Sequence, residues 1–141
     1  MASLNPAEFN AKVVEEFRAE GGSVNGTLAD FTLILVHHIG ARSGVERVVP
    51  LVYFARGVGR GMIVASNGGS CTHPGWYYNL KFHPRVKVEL GAETFHVVAE
   101  ELDSEARSLV WPTIVAQSPA AGEFQRATAR RIPVLVLSRE E

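Results

Sequence analysis

The sequence predicts an α+β fold, a small antiparallel β-barrel of about six strands with helices on its outside. Three observations support this prediction. Short stretches rich in β-branched residues recur from residue 31 onwards, and turns bounded by glycine separate several of them. The connections between the first strands are too short for the crossovers that parallel strands need. The chain has 141 residues, which suits one domain and not two.

The N-terminal segment predicts an amphipathic helix within residues 1–22. Asn5 is a suitable N-cap in front of Pro6, and two glycines at 21–22 end the pattern. The apolar residues recur at every fourth position: Phe9, Val13 and Phe17. This stripe could pack on the barrel, cover a pocket or contact a membrane, and packing is favoured because such stripes usually face a core. We therefore divide the chain into this helical segment and a barrel domain over residues 23–141.

Six segments have the composition and alternation of β-strands. They span residues 31–38, 48–55, 62–66, 86–90, 94–100 and 132–137. The first three are predicted to form an antiparallel meander. Pro133 predicts that the last strand starts at a sheet edge, because proline has no N–H to donate to a ladder.

Three helices are predicted after the third strand. Thr72 or His73 can cap a short helix that ends before Pro84. Its apolar side consists of Trp76, Leu80 and Phe82. Asp103 can cap the next helix, and a further helical piece is expected over residues 120–130. The apolar residues of the helix after Asp103 are Leu109, Val110 and Ile114.

Composition excludes several classes of protein. The formal net charge is -1, which favours neither nucleic acid nor a membrane surface as a partner. Cys71 is the one cysteine, so neither an intramolecular disulfide nor a cysteine metal cluster can form. The apolar runs are far shorter than the ~20 residues of a transmembrane helix, and the N-terminus lacks the pattern of a secretion signal. We expect a cytoplasmic protein that acts on a small molecule, and the sequence leaves its oligomeric state open.

Basic residues cluster at the predicted turns. Arg42 and Arg47 flank the first turn, and Arg56 and Arg60 flank the second. Arginine binds phosphate or carboxylate through two parallel hydrogen bonds, so a groove of this kind would attract a polyanionic ligand. Turns also carry charge because they are solvated, and for any single arginine this second interpretation is favoured. The segment SNGG at 66–69 is either a backbone anion site or an ordinary tight turn.

The sequence predicts no metal site. His37 and His38 are neighbours on a strand, so their side chains point to opposite faces and cannot readily bind one metal together. We expect one of them to be exposed and the other to be partly buried with its hydrogen bonds made. No zinc motif, phosphate-binding loop or nucleophile elbow is present. Trp76 is as readily a core residue as a stacking surface for a ligand.

Several motifs occur in an order and spacing that is typical of one family. They are GARSGVERVVP at 40–50, ASNGG at 65–69, HPGWYYNLK at 73–81, HP at 83–84, WP at 111–112 and IPVLV at 132–136. From about Gly22 to the C-terminus the sequence resembles the deazaflavin-dependent nitroreductases, also called F420H2-dependent quinone reductases. The block around Trp76 is the most specific part of the resemblance.

The resemblance implies a split β-barrel related to FMN-binding proteins, and coenzyme F420 as the cofactor. It implies hydride transfer from reduced F420 to an electron-poor substrate such as a quinone or an α,β-unsaturated lactone or enone. Arg42, Ser43 and Arg47 would hold the phosphate and glutamate tail of the cofactor. The other cofactor-binding residues implied are Val49, Pro50, Val64, Ala65, Ser66, Asn67, Gly75, Trp76 and Asn79. Ser66 would also be catalytic, through a hydrogen bond to the substrate or the deazaflavin ring.

The sequence departs from the family pattern at positions that concern the substrate. Family members often carry lysine at the position of Asn67 and a basic residue at the position of Ala41. Ala121 and Phe124 lie where the nitroimidazole-reducing branch has tyrosines, so we expect a roomier and more apolar substrate pocket. Two alternatives remain open: an FMN-dependent oxidoreductase with the same barrel, and a carrier that binds a flavin or deazaflavin without catalysis.

Overall fold

The computed structural model describes residues 6–24 and 31–140 of the chain, and these contain four helices and seven strands. The helices are α1 (Pro6–Ala19), α2 (Gly75–Phe82), α3 (Ser104–Gln117) and α4 (Pro119–Arg126). The strands are β1 (Leu33–Ile39), β2 (Glu46–Val52), β3 (Phe54–Ala55), β4 (Arg60–Val64), β5 (Arg85–Leu90), β6 (Glu93–Glu101) and β7 (Val134–Arg139). A short 3-10 turn at Asn67–Gly69 follows β4.

The seven strands form one antiparallel sheet in the order β2-β1-β5-β6-β7-β4-β3. Its two outer strands, β2 and β3, are halves of one stretch of chain with Tyr53 between them. The sheet must therefore curl until its two edges meet in that stretch, as a split barrel does. This confirms the predicted α+β barrel and its antiparallel meander, although the segment 48–55 is divided into two strands.

The division at Tyr53 has a local cause. The Tyr53 N–H donates to the Thr32 carbonyl at 2.8 Å, outside the regular ladder. The Tyr53 ring lies against Gly61 on β4, where an added Cβ would come within 2.1 Å of the ring. Only glycine leaves room for the ring at this place.

Alternate residues of the strands fill the barrel interior, together with Trp76 and Leu80 from α2. This interior cluster consists of Ile34, Val36, Ile63, Ala65, Trp76, Leu80, Val86, Val88, Val97, Ala99, Leu135 and Leu137. A second cluster lies beneath α3 and α4 and contains Phe54, Met62, Val110, Ile114, Ala121 and Val134. Burying one large aliphatic side chain contributes about 1.5–3 kcal/mol, so these clusters account for much of the stability.

The apolar stripe of α1 packs on the outer face of the barrel. Val13 and Phe17 are buried against Leu33 and Leu35 of β1, which confirms the favoured interpretation of the stripe. Phe9, in contrast, is 44% exposed. The helix ends at Ala19 as the glycine pair predicts, whereas the predicted cap Asn5 lies outside the described residues.

The prediction for Pro133 was wrong. The last strand, β7, lies inside the sheet, because it pairs with β4 on one side and β6 on the other. Pro133 precedes the first ladder pair, Val64 with Val134, so its missing N–H costs the ladder nothing. Its carbonyl accepts a hydrogen bond from the Ala65 N–H at 3.0 Å.

Several helix ends and helix faces differ from those that the sequence predicted. Pro74 occupies the N-cap of α2 and no side chain caps this helix, so the predicted cap at Thr72 or His73 was wrong. Asp103 caps α3 as predicted, accepting from the Ala106 N–H at 2.9 Å. The last predicted helix ends at Arg126, four residues early. Two residues assigned to apolar faces are exposed instead: Phe82 at 65% and Leu109 at 78%.

Within residues 6–24 and 31–140, the structure has no helix long and apolar enough to cross a membrane.

Candidate functional site

An open groove of about 780 Å³ lies between the β1–β2 turn and the first turns of α2. This volume is within the range of about 300–1,000 Å³ that is usual for small-molecule sites. The groove is lined by His38, Gly40, Ala41, Arg42, Ser43, Arg47, Gly75, Trp76, Tyr78 and Asn79. It therefore brings together the predicted residues from the first turn and those from the short helix.

The turn that carries Arg42, residues 40–45, is a compact structure that we call the arginine loop. The Gly40 N–H donates to the Val45 carbonyl and the Gly44 N–H to the Gly40 carbonyl, both at 2.9 Å. The Ser43 hydroxyl oxygen accepts from the Val45 N–H at 3.1 Å. An added Cβ at Gly40 would lie 2.3 Å from that hydroxyl, so any larger residue there would displace the Ser43 side chain. The loop holds its shape through its own hydrogen bonds.

Arg42 and Arg47 are exposed, and in the part of the chain that the structure describes neither has a carboxylate partner. Other arginines of the protein are paired: Arg18 with Glu89, Arg85 with Glu140, and Arg139 with Glu93. Two unpaired guanidinium groups beside one groove are a donor set suited to a phosphate or carboxylate ligand.

Asn79 links the arginine loop to α2. Its Oδ1 accepts from the Ala41 N–H at 3.0 Å, and its Nδ2 lies 2.9 Å from Nδ1 of His38. Since the Ala41 N–H can only donate, the amide oxygen faces Ala41 and the amide nitrogen donates to His38. The proton of a neutral His38 must then reside on Nε2. Burial, followed by the charge of Arg47 and of His37, lowers the pKa of His38.

Both members of the histidine pair are buried, so the prediction that one is exposed was wrong. His37 lies on the opposite face of β1, as alternation predicts, and its Nδ1 and Nε2 contact Glu46 at 2.5 Å and Glu89 at 2.6 Å. Arg18 of α1 also binds Glu89, at 2.7 Å. These contacts give both ring nitrogens of His37 a carboxylate partner, and Arg18 connects one of those carboxylates to α1. No group of three metal-ligating side chains occurs in the described ranges.

The remaining predicted residues do not line this groove. Val49 packs against the barrel interior, and its neighbour Pro50 points to the other face of β2 by alternation. Val64 packs against the second cluster while Ala65 is buried in the interior. The residues predicted to line the deazaflavin ring are therefore spread over two faces of the sheet. Trp76 is buried, which confirms its interpretation as a core residue. It also borders the groove, and its stacking on a ligand stays a prediction.

Arg130 fixes the loop that contains Ser66 and Asn67, and sequence reasoning missed it. Its guanidinium donates to the carbonyls of Ala65 at 3.1 Å, Ser66 at 2.6 Å and Ser70 at 2.8 Å, and contacts Nδ1 of His73 at 2.9 Å. Asn67 has a left-handed φ of 47°, and its Nδ2 donates to the Thr72 carbonyl at 3.0 Å. The only sequence signal for this contact is the basic pair just before the IPVLV motif.

A second cluster of polar side chains joins α2 to β6. The Tyr77 hydroxyl donates to Glu101 at 2.5 Å, and Lys81 binds the same carboxylate at 2.8 Å. Burial raises the pKa of Glu101, but the hydrogen bonds from Lys81 and Tyr77 outweigh burial and the net pKa is lowered. Burial and the carboxylate both raise the pKa of Tyr77. The phenol therefore stays protonated and holds α2 to β6.

The predicted role of Ala121 was wrong. Ala121 is 6% exposed and packs in the second cluster with Val110 and Ile114, so it fills the core instead of enlarging a substrate pocket. Phe124 is half-buried, and its backbone lies against Gly69 in the loop after β4.

The model of the F420H2-dependent quinone reductase family matches residues 10–139. The chain belongs to this family. The reductase is 37% identical over 110 residues to an F420H2-dependent quinone reductase of Mycobacterium tuberculosis, a match that covers 75% of this chain and 72% of that protein. A solved F420-H2 dependent reductase has 37% identity and a TM-score of 0.68, over 75% of this chain and 93% of the other. A structure described as a domain-swapped dimer has 34% identity and a TM-score of 0.71, over 95% of this chain and all of the other.

Family membership confirms two predictions: the reductase is an F420-dependent oxidoreductase, and reduced coenzyme F420 is its cofactor. The groove fits such a cofactor chemically. Its unpaired arginines, Arg42 and Arg47, suit an anionic tail, and the start of α2 at Gly75 adds the partial positive charge of a helix N-terminus.

Proposed function

We propose that the reductase holds reduced F420 with its anionic tail in the groove and delivers hydride to a quinone. The observation that carries this proposal is the pair of unpaired guanidinium groups, Arg42 and Arg47, that face the same groove as Trp76. Arg42, Ser43 and Arg47 bind the phosphate and carboxylates of the tail. Gly75, Trp76 and Asn79 form the opposite wall.

The ring end of the site is proposed to extend from the groove towards the loop after β4. Val49, Pro50, Val64, Ala65, Ser66 and Asn67 are the residues proposed near the ring. Arg130 holds the Ser66 carbonyl, while within the described residues the Ser66 hydroxyl has no partner. That hydroxyl is thus free to donate to a carbonyl oxygen of the substrate or the ring, which makes Ser66 the proposed catalytic residue.

The bound cofactor supplies the hydride, and the protein supplies position and electrostatics. The substrates proposed are quinones and, as a second group, α,β-unsaturated lactones or enones, whose β-carbon accepts hydride. Protonation of the product does not need a side chain, because water reaches an open groove. We also propose that the reductase works in the cytoplasm and that residues 23–141 form the cofactor-binding domain, with the N-terminal helix packed on it.

Steady-state turnover with reduced F420 and a simple naphthoquinone tests this function. The proposal predicts saturable oxidation of reduced F420 that requires both the enzyme and the quinone. Binding of F420 without turnover of any quinone or enone would favour a carrier. Turnover with reduced FMN at equal efficiency would favour the FMN-dependent alternative.

A further inference from the structure

The arginine loop depends on a side chain from another element for its place beside α2. Its internal hydrogen bonds fix its shape, as described above, but they do not fix its position relative to Trp76 and Gly75. Asn79 reaches across from α2 to the Ala41 N–H, the residue next to Arg42. A movement of this loop would carry Arg42 and Ser43 with it.

We propose that Asn79 and His38 form a latch that positions the arginine loop for the anionic tail of the cofactor. Asn79 accepts from the loop with its oxygen and donates to His38 with its nitrogen, so the carboxamide is fixed at both ends. His38 is buried on β1, a rigid strand paired on both sides, and it supplies the fixed point. Both are positioning residues that act through Arg42 and Ser43.

The latch requires a neutral His38. If His38 gains a second proton, its Nδ1 becomes a donor that faces the donor nitrogen of Asn79. The amide can flip to offer oxygen to His38, but its nitrogen then faces the Ala41 N–H. Either way one of the two hydrogen bonds is lost, because no orientation of the amide satisfies two donors with one oxygen.

The surroundings of His38 favour the neutral form. Burial of the ring is the largest cause, because a buried imidazole loses the hydration of its charged form. The charged or titratable groups that act on it are Arg47 on β2 and His37 on β1, and both oppose a further positive charge. Among the described residues of α2, the side chain that contacts His38 is Asn79, which is uncharged. The pKa of His38 therefore lies below its ordinary value of 6.5, and the latch stays closed at neutral pH and opens on acidification.

Hydrogen exchange in the cofactor-free protein tests the latch directly. Asn79→Leu keeps the side-chain size and removes both hydrogen bonds, so the protection factor of the Ala41 amide should fall at least about tenfold. Asn10→Leu makes the same change on α1, away from the groove, and should leave that protection unchanged. His38→Leu should resemble Asn79→Leu. His38→Asn places an amide oxygen near the position of Nδ1 and should recover most of the protection.

A second test, by steady-state kinetics with reduced F420, rests on the proposed function. Asn79→Leu should raise the KM for reduced F420 about tenfold and change kcat less than about threefold, because the loop holds the tail and not the reacting ring. Protection of Ala41 in the wild type should fall as the pH drops through the lowered pKa of His38, whereas His38→Asn should show no such fall. Unchanged Ala41 protection in Asn79→Leu would overturn the latch, and so would an unchanged KM in a variant whose protection is lost. A wild-type protein that fails to bind F420 would overturn the proposed function instead, and the exchange experiment would still report on the latch.

Discussion

The substitution Arg47→Ala should separate the contribution of this groove to cofactor binding from its contribution to folding. Arg47 is exposed and has no carboxylate partner among residues 6–24 and 31–140, so the fold loses no ion pair when it is removed. Substitutions of this kind usually change the free energy of unfolding by no more than about 0.5 kcal/mol. Binding should respond differently, because a hydrogen bond to a charged group contributes about 1.5–3 kcal/mol. The dissociation constant for F420 should therefore rise roughly 10- to 150-fold.

The assay is titration calorimetry with F420, paired with thermal unfolding of the same samples. Arg47→Lys should give an intermediate affinity, since lysine keeps the charge and loses the two-pronged geometry. Arg60→Ala is the matched control, because Arg60 is an exposed arginine at the start of β4 that borders a separate cleft. It should leave F420 affinity within about twofold. An unchanged dissociation constant with a sharply lower melting temperature would show that Arg47 is structural, and the groove would then be misassigned.

Three other predictions follow from the site and the substrate. Arg130→Ala leaves the carbonyl of Ser66 and its neighbours without their donor, so the free energy of unfolding measured with denaturant should fall by about 2–3 kcal/mol. A change below about 0.5 kcal/mol would show that Arg130 does not fix the loop after β4. Tyr77→Phe removes the hydrogen bond to Glu101, so it should lower the free energy of unfolding by about 1.5–3 kcal/mol at neutral pH. The pKa of Glu101 is lowered in the fold, so its stabilisation is present above its ordinary value of 4.5 and is lost as pH falls through the lowered pKa. That loss should be smaller in Tyr77→Phe, and identical pH profiles of stability would contradict the assignment. Quinone or coumarin-like substrates should exceed bicyclic nitroimidazoles at least about tenfold in kcat/KM, or ~1.4 kcal/mol, because the chain lacks a hydroxyl at Phe124; comparable rates would refute this.

Patterns of alternation and turn chemistry were enough to predict the barrel. Glycine-bounded turns and period-2 strands appear in the sequence itself. The fourfold spacing of apolar residues in the first helix likewise placed Val13 and Phe17 on a buried face correctly. The errors concern contacts between distant parts of the chain. Pro133 looks like an edge residue because nothing local shows that β4 and β6 flank β7. Leu109 looks like a core residue because only the packed structure shows which face of α3 turns to solvent.

The same distinction applies to the site. Since each motif is continuous in the chain, the motifs implied six of the residues that line the groove: Arg42, Ser43, Arg47, Gly75, Trp76 and Asn79. Arg130 was missed because its partners lie about sixty residues away and are backbone carbonyls, which no side-chain pattern records. The histidine pair was misjudged because its partners are distant in the chain: Asn79 lies forty-one residues from His38, and Glu89 lies fifty-two residues from His37. Such contacts join residues that are far apart in the chain, and the periodicity of a single segment does not record them.

The measurement that tests the account most directly is a parallel titration of the purified protein with F420 and with FMN, each repeated with Arg47→Ala. We expect F420 to bind much more tightly than FMN, and we expect Arg47→Ala to remove most of that difference, because the two unpaired arginines recognise a long anionic tail. Equal affinity for the two cofactors, or tighter binding of FMN, would contradict the proposal that this groove is the F420 site.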